Sequence, residues 1–342
     1  MIEPSRNNTG MESAVAQKEL WQHNLSRAIR DPTTLLRELD LPESLLPGAV
    51  AASGNFQLMV THSFLHRMQH GDPNDPLLRQ VLPLDTELEP VAGYTSDPLQ
   101  EKAASTAPGL VQKYGSRALL IATGSCAINC RYCFRREYPY EQSPRRLDDW
   151  TPALEAIAND KGVSEVILSG GDPLILSDSR LAALIERLQD IDHVHTLRLH
   201  SRLPIVLPTR VTERLLQTLT TSRLQSFVVV HANHPNEIAG DCRDALARLV
   251  RAGIPTFNQS VLLRDINDSA PTLIELSHRL TRVGVLPYYL HRLDRVTGTA
   301  HFAVSERLGR DIIAEMRKQL PGYAVPRFVV EEPGEPHKTV LA

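Results

Sequence analysis

The sequence predicts an α/β fold: a partial (βα)6 barrel, preceded by a helical segment and followed by a short tail. Two observations carry this. Short runs of β-branched and aliphatic residues alternate with amphipathic segments over roughly 200 residues, the pattern of a parallel sheet with helices between its strands. The chain's chemically distinctive motifs also fall just after these runs, at the strand C-termini where such folds bind ligands.

In chain order, residues 1–105 hold capped helical stretches, Glu12–Ala28 and Asp31–Leu39, then loops rich in Pro, Asp and Gly (GDPNDP, TSDP). They read as a helical accessory segment. Strands are expected at Ala118–Thr123, Glu165–Ser169, Thr196–His200, Phe227–His231, Pro255–Ser260 and Val285–His291. Helices are expected near 148–160, 178–189, 210–219, 241–252, 270–283 and 305–319. The barrel therefore spans 106–322. The tail, 323–342, has a last strand at Ala324–Val330 and the turn-forming EEPGEPHK.

With 342 residues, 42% hydrophobic and 23% charged, the chain can bury a sizeable core. A net charge of -3 gives no broad basic field for nucleic acid or anionic lipid. No apolar run approaches the ~20 residues of a membrane span, and MIEPSRNNTG lacks the order of a signal peptide, so a cytoplasmic protein is expected. Three of the four cysteines crowd into Cys126–Cys133, which suits a metal site better than disulfides.

CAINCRYCF sets three thiols at i, i+4 and i+7 after the first expected strand. A 4Fe-4S cluster can take four thiolates, and three leave one iron open. Zinc and incidental clustering are the alternatives. Zinc prefers a second Cys or His pair, which Cys242 does not provide.

CxxxCxxC with an aromatic before its third cysteine resembles the radical S-adenosylmethionine superfamily. The resemblance implies metal ligands Cys126, Cys130 and Cys133, an open iron that chelates S-adenosylmethionine, and its one-electron cleavage to a 5′-deoxyadenosyl radical. SGGDP resembles the loop that binds the methionyl amino group, implicating Ser169, Gly170, Gly171 and Asp172. Alone, the same motif would be an ordinary turn.

Longer stretches are more specific. DPLQEKAASTAPGLVQKYGSRALL, CRYCFRR, HSRLPIVLPTR, HANHPNE, NQSVLLRDIND, PYYLHRLD and PGYAVPRFVV resemble lysine 2,3-aminomutases over about residues 90–340. The match is closest to the short branch that makes (R)-β-lysine for elongation factor P. The resemblance implies an isomerase acting on L-lysine with an external reductant and a second cofactor, pyridoxal 5'-phosphate, bound covalently to Lys338. A desolvated lysine beside other cations can supply the neutral amine this requires. Lys113, Arg117 and Gln259 would hold the cofactor's phosphate. Arg135 would clamp the substrate carboxylate, and Asp294 and Glu331 would hold its ε-ammonium; the clostridial branch has Asp where this chain has Glu331. His231, Asn233 and His234 would line the S-adenosylmethionine or pyridoxal side, or be satisfied core residues. Arg136 would face elsewhere as a solvated or paired side chain, and Cys242 would be a plain thiol. Two other readings stay open: the same scaffold acting on another amino acid such as glutamate, and a non-catalytic iron-sulfur protein. The oligomeric state is open.

Overall fold

The computed structural model describes residues 20–342. Ten strands form one sheet in sequential order: β1 (Ser105–Ala107), β2 (Leu110–Tyr114), β3 (Arg117–Thr123), β4 (Glu165–Gly170), β5 (Thr196–Ser201), β6 (Gln225–His231), β7 (Thr256–Val261), β8 (Leu286–His291), β9 (Arg327–Val330) and β10 (Thr339–Val340). Strands β3 to β9 are parallel. The β1–β2–β3 and β9–β10 pairings are antiparallel. Among the described residues no pairing joins β1 to β10, so the sheet curls without closing.

The helices are α1 (Pro32–Glu38), α2 (Leu46–Asn55), α3 (Thr151–Asn159), α4 (Asp178–Gln189), α5 (Glu213–Thr220), α6 (Gly240–Arg251), α7 (Ala270–Arg282) and α8 (Glu306–Gln319), with shorter turns between them. Each of α3 to α8 lies between successive parallel strands, which makes the six expected βα units. The hydroxyls of Ser177, Thr212, Ser269 and Ser305 cap α4, α5, α7 and α8, accepting backbone N–H bonds that would otherwise be orphaned. Apolar residues at helical spacing then turn inward, as with Leu181, Leu184, Ile185 and Leu188 of α4. Deleting such a buried leucine side chain costs ~2–5 kcal/mol.

The helix expected at Glu12–Ala28 is helical over 20–26 and ends two residues before its expected end; its start lies outside the described residues. Asp31 caps α1 as expected, accepting from the Thr34 backbone. The N-terminal segment is not held apart from the barrel. Trp21 lies under the Arg210 guanidinium, 4.8 Å from its carbon, and one apolar cluster runs from Trp21 and Leu35 through the strands to Phe328. The hairpin β1–β2 and strand β10 were not expected. The last parallel strand begins at Arg327, because Gly322–Ala324 form a single helical turn instead. No helix among the described residues is long and apolar enough to cross a membrane.

Candidate active site

The strand C-termini open into a cavity of about 550 Å³. Its wall includes Cys126, Cys130 and Cys133, Ser169 to Asp172, Arg135, Lys113, Arg117, His231, Gln259, Asp294, Glu331 and Lys338. All the residues assigned to cluster, cofactors or substrate thus reach one space, although they come from the first loop, six different strand ends and the tail. Asn233 lines it too, but His234 does not: its Nδ1 accepts from Asn236 N at 3.2 Å and caps the turn Pro235–Glu237.

The cysteine loop follows β3 and is gripped by the N-terminal segment. Asn129 N donates to Met59 O at 3.0 Å, and Arg131 N to Gln80 O at 2.8 Å. The fully buried Arg131 guanidinium forks onto Glu87 at 2.8 and 2.6 Å. Arg136 pairs with the same Glu87 carboxylate at 2.7 Å. Burial, then their mutual charge, pushes the Cys126 thiol well up and that of Cys133 to about 11. Such thiols ionise readily only against a strong positive centre, which iron supplies. Among the described residues no three Cys, His, Asp or Glu side chains converge on a point that one metal ion could fill. A cluster, whose ligands bind separate irons, does not need them to. The Arg202 guanidinium donates to Cys130 Sγ and is itself held by Gln80 (2.7 Å) and Glu237 (3.2 Å).

The SGGDP loop packs against the cysteine loop. Gly170 has φ +115, and a Cβ there would sit 2.5 Å from Thr123 O; one on Gly171 would strike Ser125 O. Only glycine permits that approach. Asp172 lines the wall, but both carboxylate oxygens are already used by Leu174 N (3.0 Å), Ser201 Oγ (2.7 Å), Arg202 N (2.7 Å) and Leu203 N (3.2 Å). It braces the loop against the end of β5, although burial raises its carboxyl to about 6.

The opposite wall carries a chain of charges. Arg135 binds Glu101 side-on, Nε at 2.7 Å and Nη2 at 2.8 Å, and Nη1 donates to Ser169 Oγ at 2.9 Å. Burial opposes the Arg135 charge; Glu101 more than offsets this and holds it protonated. Lys113 lies 3.7 Å from Glu101 and 2.7 Å from Glu331. Glu331 also accepts from Lys338. The β9–β10 hairpin produces that contact: Thr339 pairs with Val330, which sets Lys338 opposite Glu331. Burial pushes the Glu331 carboxyl up, but Lys338 and Lys113 overcome it and hold it at about 2. Asp294 has no such relief. Burial first, then Glu331, raise it to about 7 against the pull of Lys338 and Lys113.

Three neutral histidines lie at the C-terminal ends of β5, β6 and β8. Burial above all lowers His200 well below its ordinary value, and His231 and His291 to about 3. His231 Nε2 meets Gln259 Nε2 at 2.9 Å. Arg117 makes no ion pair among the described residues and lies over the Tyr114 ring at 4.1 Å, so its charge is free for an anion. Cys242 is buried in α6 away from the cavity, its thiol pushed up to about 12 by burial. Sequence reasoning did not single out Glu101, Arg202, His200 or His291. The histidines did carry a signal: each ends an expected strand.

The Radical SAM superfamily model matches residues 120–276. The curated L-lysine 2,3-aminomutase of Escherichia coli (strain K12) is 47% identical over 326 residues, 95% of each chain. The chain belongs to the L-lysine 2,3-aminomutase family. The Haemophilus influenzae enzyme of the same name is 42% identical, over 97% of this chain and 98% of its own. The longer Clostridium subterminale enzyme is 36% identical, over 93% of this chain and 77% of its own. This aminomutase-family member is thus an isomerase of the radical S-adenosylmethionine type, and the superfamily implies a 4Fe-4S cluster and S-adenosylmethionine.

Proposed function

We propose that the protein is a cytoplasmic lysine 2,3-aminomutase that converts L-lysine to (R)-β-lysine with cluster, S-adenosylmethionine and pyridoxal 5'-phosphate, and that its product serves elongation factor P modification. The observation that carries this is one cavity with cluster cysteines on one wall and, on the other, a carboxylate-binding guanidinium, two ammonium-binding carboxylates and a tail lysine. When bound, the cluster with S-adenosylmethionine supplies a carbon radical that removes a hydrogen atom, and pyridoxal phosphate carries the migrating amino group.

The chain's own residues fit these groups. Cys126, Cys130 and Cys133 supply three thiolates and no fourth, and the SGGDP loop gives close backbone approach beside them. Lys338 presents its amine at the cavity wall, and Arg117, with Lys113 and Gln259 nearby, offers an unpaired cation for a phosphate. Arg135 would hold the substrate carboxylate, and Asp294 the ε-ammonium together with Glu331. A dicarboxylate such as glutamate would set its second anion against these acids, which favours a substrate with a distal cation. The neutral histidines add hydrogen bonding to the wall without competing charge.

In this reading the 1–105 segment seats the cysteine loop, 106–322 forms the cavity, and 323–342 delivers Lys338. Anaerobic incubation of the reconstituted protein with lysine, S-adenosylmethionine, pyridoxal phosphate and an external reductant should yield β-lysine by mass spectrometry. Turnover of glutamate in place of lysine, or of neither, would overturn the assignment.

A further inference from the structure

Glu101 has no part in the roles given above to cluster, cofactors or substrate, yet it is only 4% exposed and faces the cavity. Its position is built, not incidental. Asp97 accepts from Glu101 N at 2.9 Å and Lys102 N at 3.1 Å, and Gln100 adopts φ +50 to turn the chain. The same segment is tied to the loop bearing Asp294 through the Thr95–Val296 bridge, with Thr95 N donating to Arg295 O at 2.9 Å.

A guanidinium has five N–H groups. On Arg135, Glu101 takes Nε–H and one Nη2–H, and Ser169 takes one Nη1–H. That leaves the second Nη2–H unpaired and an Nη1–H held only by Gly170 O at 3.5 Å. The Arg135 guanidinium also lies 4.8 Å from the Phe134 ring centre, so the fork is fixed on three sides.

We propose that Glu101 is a positioning residue: by occupying the side-on edge of Arg135, it aims the remaining edge at the substrate carboxylate and so sets the preference for an α-amino acid over the corresponding amine. This deepens the reading of Arg135 as the carboxylate clamp and rests on it. Lys113 beside Glu101 shares its charge, so a second carboxylate arriving at Arg135 does not face an uncompensated anion.

The test compares equilibrium binding of L-lysine with that of 1,5-diaminopentane, which keeps the chain and the distal ammonium but lacks the carboxylate. The protein is the cluster- and pyridoxal-loaded enzyme without reductant, so nothing turns over. Glu101→Gln sets an amide NH2 against a guanidinium N–H, donor facing donor. The lysine-to-diamine preference should fall about tenfold or more, on the lysine arm alone. Glu101→Asp keeps the charge but falls one methylene short, and should lie between; it decides the matter if the Gln variant does not hold its cluster. Arg135→Gln tests the underlying clamp. If it leaves the preference intact, the clamp reading fails. If it erases the preference while both Glu101 variants keep the wild-type ratio, only the positioning role is overturned. Equal loss of both ligands in the Glu101 variants would also overturn it, because that is what a general structural defect produces.

Discussion

The Asp294 carboxylate accepts no hydrogen bond among the described residues, and the groups facing it are Glu331, Lys338, Lys113 and Glu101. Its carboxyl is raised to about 7, the reverse of the usual acidic-residue shift. Only the ionised form can pair with an ammonium. Lysine affinity should therefore rise as pH increases through about 7, with a proton released on binding, whereas Asp294→Asn should lose both that pH dependence and affinity. Calorimetry in buffers of different ionisation heat measures both. The loss should approach the ~3–5 kcal/mol of an unpaired buried charge, and an Asn variant that keeps the wild-type pH profile would refute this. At this scale the sequence was only partly legible. Lys338, Arg135, Asp294 and Glu331 sit in distinctive stretches, and the structure brings all four to one cavity. Glu101 lies in one as well, but its meaning comes from a guanidinium 34 residues away, a contact that no local pattern encodes.

Among elements, the glycine loop and the tail each make a sharp demand. Gly171→Ala would drive a methyl into the Ser125 carbonyl beside the cysteine loop, so that variant should lose most of its cluster by iron and sulfide analysis. Leu341→Pro removes the N–H that donates to Phe328 O at 2.8 Å and unfastens β10 from β9. It should lose retained pyridoxal absorbance after desalting while keeping its iron, since the tail makes none of the contacts that hold the cysteine loop. The six long parallel strands were legible within about two residues because alternation and apolar runs persist over their length. The hairpin β1–β2 was missed despite its Pro108-Gly109 turn, because β1 is only three residues long. At two residues, β10 is too short for any periodicity and exists through its partner.

For the whole molecule, the N-terminal segment is the seat of the cysteine loop. Glu87 accepts from Arg131 and Arg136 while almost wholly buried, so Glu87→Gln leaves a buried guanidinium undercompensated. A stability loss of ~3–5 kcal/mol is expected in urea unfolding, with poorer cluster assembly; a change below about 1 kcal/mol would show the pair to be dispensable. The open sheet has a mechanical consequence. Where a closed barrel would have a ladder of backbone bonds, this one has Lys113 of β2 reaching Glu331 beyond β9. Ladders part cooperatively, but ion pairs exchange partners one at a time. Among the described residues the two sides of the opening thus meet here through side chains, while β3 to β9 are joined by backbone bonds, so a ligand that competes for Lys113 or Glu331 meets no sheet hydrogen bond at that place.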